Sequence, residues 1–133
     1  MAVEKPERMT ADVRAGLLAP YDNWRNRIAI DRFVQDIPFS PRHPTWQVLE
    51  WIEESLAACA DWPIQLIWGM RDWCFRPECM ERLLVSWPRA EVHRLEDCGH
   101  YVVEDAHERI VPLMKEFLKR TKAGKATGVA QPS

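Results

Sequence analysis

The 133-residue sequence predicts an α/β fold whose parallel sheet is incomplete. Three observations carry that reading. The second half alternates two short apolar runs with two helical patterns, the order expected of a parallel sheet. The first run, Ile64 to Trp68, is apolar almost without interruption, as in a strand buried on both faces. Seven Trp occur in 15.6 kDa, more aromatic bulk than so small an interior holds. Two parallel strands leave unpaired edges, so the chain reads as the end of a larger sheet.

The elements follow in order. Residues 1–9 are polar and read as a lead-in. Thr10 caps a short helix through Val13, Leu17 and Leu18, which ends before Pro20. Asp22 or Asn23 caps a second helix with Trp24, Ile28 and Val34 in loosely helical spacing. Pro38, Pro41 and Pro44 exclude helix and central strand between them and predict an ordered loop. A third helix follows Thr45. Its Trp46, Leu49, Ile52 and Leu56 share one side, and Glu50, Glu53 and Glu54 face water.

The pattern then changes. The apolar strand up to Gly69 precedes a helix with Pro77 at its first position and Met80, Leu83, Leu84 and Trp87 on one face. Ala90 to Leu95 is the second strand. The last helix is predicted to start at Asp105, with Glu108 completing a capping box, and Pro112 to kink it or shift its start. Ile110, Leu113, Met114, Phe117 and Leu118 form its apolar face. Residues 121–133 read as a disordered tail.

Composition limits the function. A net charge of −2 gives no general attraction to nucleic acid or anionic lipid. No apolar run has the roughly 18 to 20 residues of a membrane span, and residues 1–9 hold no signal-peptide core. Four cysteines without a secretory signal fit a reducing cytoplasm.

Each strand is followed by a residue that can carry chemistry. Gly69-Met70-Arg71-Asp72 puts a carboxyl group just past the end of the first strand. Gly99-His100 puts an imidazole in the equivalent place one strand later. Sites of open α/β sheets lie outside the carboxyl ends of their strands. Asp72 and His100 can therefore pair, the acid fixing the ring's tautomer and the ring acting as general base.

Strand, Gly-x-x-Asp, helix, strand, Gly-His, helix resembles the C-terminal part of the α/β-hydrolase fold, where nucleophile, acid and histidine follow in chain order. Ile64–Asp72 and Asp97–Asp105 carry the specific part, and the likeness covers roughly residues 10 to 120. Leu18-Ala19-Pro20-Tyr21 and Arg32-Phe33-Val34-Gln35-Asp36-Ile37-Pro38 resemble the end of the cap in the haloalkane-dehalogenase-like branch, nearest its β-lactone decarboxylases. The resemblance implies a cap remnant over 10–60 and the last strand-helix-strand-helix of the core over 61–120. It implies Asp72 as acid and His100 as general base, a small apolar substrate (haloalkane, epoxide, ester or β-lactone), and no metal or organic cofactor. The family's nucleophile elbow, Gly-x-Ser-x-Gly or an Asp analogue, does not occur in these residues. The chain then reads as a fragment or one piece of a split enzyme, inactive alone, its partner either the missing N-terminal half or another copy of itself.

Other readings compete. Trp73 and Phe75 follow the acid and either line a substrate cavity or fill core. Trp24, Trp46 and Trp51 read as packing on cap helices. Glu96, Asp97, Glu104 and Asp105 read as solvated charges or caps, and His43 and His107 as surface residues. His93, alternating with Val92 in the second strand, reads as structural or exposed. Cys74, Cys79, Cys98 and His100 could instead ligate zinc, in a spacing looser than paired Cys-x-x-Cys. A helical interaction module without chemistry is the third possibility.

Overall fold

The computed structural model describes residues 2–126. Three helices come first: α1 (Ala11–Leu18), α2 (Trp24–Gln35) and α3 (Trp46–Ser55). Strand β1 (Gln65–Gly69), helix α4 (Pro77–Ser86), strand β2 (Glu91–Leu95) and helix α5 (Val102–Ala126) follow. The strands pair in parallel, Gln65 opposite Glu91 and Gly69 opposite Leu95. Both α4 and α5 pack on β1.

Local chemistry sets most boundaries. Thr10 Oγ1 accepts the Val13 N–H at 3.3 Å and starts α1. Asn23 Oδ1 accepts the Asn26 N–H at 3.1 Å and starts α2, each satisfying a donor with no partner inside its helix. Pro77 begins α4, where its missing N–H costs nothing. The proline-rich segment 38–44 holds neither helix nor strand. Two indole N–H groups tie layers together: Trp68 donates to the Phe75 carbonyl and Trp87 to the Leu56 carbonyl, both at 2.8 Å.

The core is small. Leu95, Cys98, Ala106 and Ile110 form it, with Ile67 and Val102 packed against them. Gln65 to Trp68 are only half-buried, against the expectation of a strand covered on both faces. The described residues supply just two strands, so nothing continues the sheet beyond either. Trp24 is 85% exposed and Trp51 66%, which overturns their reading as packed helix residues. Their helices present apolar surface that no described element covers.

Three further expectations are corrected. The lead-in is bound into the fold: Val3 is buried, residues 6–8 form a 3-10 turn, and Arg8 pairs with Glu108 at 2.6 Å. Helical backbone is present from Val102, but it breaks at Ala106 (φ −153°, ψ 31°) and not at Pro112, so the last helix proper begins just past the expected start at Asp105. That break follows Asp105, whose side chain turns inward instead of capping a helix. Helix α5 also runs past Thr121 to Ala126, and the rest of the predicted tail, 127–133, lies outside the described residues. Among the described residues no helix is long and apolar enough to cross a membrane.

Candidate active site

The loops after β1 and β2 meet. Met70 N–H donates to the Leu95 carbonyl at 3.0 Å, and Arg71 N–H to the Cys98 carbonyl at 2.9 Å. Gly69 lies between them. A Cβ there would sit 2.4 Å from the Gly99 oxygen and 2.8 Å from the Cys98 oxygen, so only glycine lets the loops approach so closely.

This contact brings Asp72 to His100. Both Asp72 carboxyl oxygens lie 3.1 Å from His100 Nδ1. Asp72 Oδ1 also accepts the backbone N–H groups of Cys74 (2.8 Å) and Phe75 (2.9 Å). That local turn holds the carboxyl group still. Burial disfavours its ionised form, but the His100 bond and the Phe75 and Cys74 amides together outweigh burial. The Asp72 carboxyl group therefore sits below its ordinary value. A carboxylate only accepts, so Nδ1 carries the shared proton and Nε2 of the neutral ring keeps a free lone pair. The Asp72 side chain is 9% exposed and that of His100 25%, an imidazole open on one side and anchored on the other.

Aromatic rings surround that imidazole. Phe75, Tyr101 and Trp73 stand with centroids 5.5, 5.7 and 5.8 Å from it. Trp73 and Phe75 are more than half exposed, so neither is core among the described residues. Phe75 also lines an open groove of about 460 Å³ with Leu56, Trp68 and Leu83. Tyr101 is not singled out by the sequence, although adjacency to His100 is a usable signal.

The remaining candidates lie elsewhere. Glu96 is exposed, and Asp97 is paired with Lys5 and Arg109, both at 2.7 Å. Those bonds hold the Asp97 carboxyl group well below its ordinary value. Asp105 is neither solvated nor a cap but fully buried. His93 is half-buried against Glu91 Oε1 at 2.7 Å, a structural contact. His43 is half-buried, its Nδ1 accepting the Thr45 N–H, and His107 is exposed beside Glu108. Cys74 and Cys79 are exposed, whereas Cys98 is buried with Arg109 on its sulfur at 2.9 Å. Burial, with Asp97 nearby, pushes the Cys98 thiol up. Among the described residues no three His, Cys, Asp or Glu side chains gather in a way that could hold a metal ion.

A parallel α/β unit with an acid and a histidine at adjacent strand ends is the class of site that these elements build. No family model matches the chain. Over 113 residues it is 46% identical to the cis-3-alkyl-4-alkyloxetan-2-one decarboxylase of Xanthomonas campestris pv. campestris, a stretch covering 85% of this chain and 38% of that relative. It is 36% identical over 118 residues to the protein of the same name from Shewanella oneidensis, covering 89% of this chain and 37% of that one. The chain thus spans less than two fifths of the length of these curated relatives. Their shared name is that of a decarboxylase acting on a four-membered lactone, as the resemblance in sequence leads one to expect.

Proposed function

We propose that the chain supplies the acid and the general base of a nucleophile–acid–histidine triad. The observation that carries this reading is the Asp72–His100 pair at 3.1 Å across two adjacent strand ends. Asp72 holds the Nδ1 proton and would stabilise the imidazolium. His100 Nε2 would take a proton from the nucleophile or its water and later return it. The nucleophile lies outside these residues, carried by another part of the same protein or by a separate chain. Its identity, serine or aspartate, selects between acyl and alkyl covalent chemistry.

In this reading residues 10–60 are the end of a haloalkane-dehalogenase-like cap and 61–120 the last part of the hydrolase core. Trp73 and Phe75 line the substrate cavity. The substrate is small and apolar. Among haloalkane, epoxide, ester and β-lactone, the relatives' name favours a cis-dialkyl β-lactone. The free cysteines fit a reducing cytoplasm.

Co-expression with the part of the Xanthomonas relative that precedes the matched stretch tests the proposal. The assembly should release carbon dioxide from a cis-3,4-dialkyloxetan-2-one, whereas the chain alone should not. His100→Ala and Asp72→Ala should each abolish turnover. Turnover by the chain alone, or an active assembly indifferent to His100→Ala, overturns it.

A further inference from the structure

The buried Asp105 has no part in the pairing just described, yet it bonds to the residue before His100. Its Oδ2 accepts the Gly99 N–H at 2.8 Å. Its Oδ1 accepts the Glu4 N–H and the Lys5 N–H, each at 3.0 Å, and Glu4 N–H also approaches Oδ2 at 3.2 Å. Lys5 Nζ adds a bond to the Asp105 backbone carbonyl at 3.2 Å. Tyr101, just after His100, donates its N–H to the Ala2 carbonyl at 2.8 Å. The backbone on both sides of the imidazole is therefore bonded to one buried carboxyl group and the strap it holds.

Sterics agree. A Cβ on Gly99 would lie 2.8 Å from Glu4 Cγ and 3.2 Å from the Ala2 oxygen, while the Gly99 carbonyl presses on Gly69 from the other side. The peptide before His100 is thus clamped between the Asp72 loop and residues 2–5. A fully buried carboxyl group is costly unless its oxygens are bonded, so its place is fixed by those N–H donors.

We infer that Asp105 is a positioning residue for His100, setting the imidazole's orientation toward Asp72 through the Gly99 amide and the strap of residues 2–5. Asparagine cannot replace it. The amide presents an NH₂ where one oxygen now accepts, leaving a buried donor facing a donor. The His100 loop would then shift, and the ring would lose its fixed tautomer. The inference deepens the proposed function and takes its catalytic meaning from it, but its geometry does not need the nucleophile.

The test is ¹⁵N spectroscopy of the full chain labelled at histidine, in solution or as a hydrated sediment. His100 is assigned by the signal that His100→Ala removes. In the unaltered chain the ring should show one tautomer, protonated at Nδ1 with a downfield proton signal. Asp105→Asn should lose that proton signal and average the two nitrogen shifts, while the His93 signals stay in place. Ile110→Ala, which weakens the same small core without touching the clamp, should keep the His100 signature. Deleting residues 2–5 removes two of the three backbone donors and should give a partial loss. An unchanged His100 signature in folded Asp105→Asn overturns the inference. If that variant does not fold, an unchanged signature in the deletion overturns it. Since no substrate is involved, an inactive assembly whose signature moves as stated counts against the proposed function alone.

Discussion

Helix α2 and the strand-end loops make opposite use of their residues. In α2, Trp24 and Phe33 are 85% and 80% exposed, and no described element covers them. In the loops Asp72 is enclosed, as is Asp105 beside them in the first turn of α5, and every buried side-chain polar atom among the described residues has a partner. The loops close their hydrogen bonds within the described residues, whereas the helices and the half-covered β1 leave apolar surface that no described element covers. Polar pairing can thus be complete where apolar packing is not, because hydrogen bonds close locally and hydrophobic burial does not.

The largest effect should come from the unfinished side. Each Å² of apolar surface left wet forgoes about 25 cal/mol. A few hundred Å² over α2, α3 and β1 amounts to on the order of 10 kcal/mol, comparable to the roughly 5 to 15 kcal/mol of a whole domain. The isolated chain should therefore self-associate or melt without cooperativity, and co-expression with the preceding part of a relative should relieve this. Size-exclusion chromatography with thermal unfolding reads the outcome. A sharp monomer peak with a steep transition would erase the contrast between the two regions.

The finished side should respond to single atoms. In the reconstituted assembly, Asp72→Asn keeps the shape of the side chain but favours the wrong ring tautomer. A loss of about 10⁴-fold in kcat is expected, the scale seen when a triad acid is so replaced. Steady-state kinetics of the assembly measures it, and a loss below tenfold would remove Asp72 from the acid role.

Glycines sharpen the comparison further. Gly69→Ala drives a Cβ into the Gly99 carbonyl, backbone against backbone, and should destabilise the chain by about 3 kcal/mol. Gly16, inside α1, has nothing within 4 Å of the same added atom. Gly16→Ala should instead stabilise by roughly 0.5–1 kcal/mol through helix propensity. Urea unfolding of the co-expressed assembly, followed by circular dichroism, should give opposite signs for the two. Equal signs would mean that the loops are not packed more tightly than the helices.

The same division decides what the sequence reveals. Helix starts at Thr10, Asn23 and Pro77 are legible because each rests on chemistry within three residues. Asp72 and His100 are legible because a glycine and a fixed spacing follow each apolar run. Asp105 is not, because its partners are backbone N–H groups, two of them about 100 residues away. Any residue type but proline can supply such a donor, so Glu4 and Lys5 carry no mark of the role in the sequence. The one available signal was phase: Asp105 falls on the buried stripe with Val102, Ala106 and Ile110. The exposure of Trp24 and Trp51 escapes the sequence for a related reason. Apolar spacing shows which face seeks cover, not whether the cover is in the same chain.

The smallest effect concerns how α5 is fastened to the start of the sheet. Arg120 Nη2 lies 2.6 Å from Glu91 Oε2, and His93 Nε2 lies 2.7 Å from Oε1. The Arg120 bond and then the His93 bond pull the Glu91 carboxyl group from 4.5 to about 2. A carboxyl group lowered on folding stabilises the fold above its unfolded value and loses that contribution as pH falls through the folded one. The Glu91 share should therefore be intact above about pH 4.5 and vanish by about pH 2. Asp72 acts in the same direction, so the acid limb of stability contains both, and Glu91→Gln isolates the Glu91 share. Because the Arg120 pair is open to solvent, its contribution is small and salt reduces it. Urea midpoints of the co-expressed assembly between pH 2 and 7 should show Glu91→Gln slightly less stable than the unaltered protein at pH 7, converging with it near pH 2 and in high salt. The Asp72→Asn gap should also narrow as pH falls, since that carboxyl group too is lowered on folding. A Glu91→Gln gap unchanged between pH 7 and pH 2 would remove the Arg120 and His93 bonds as its cause.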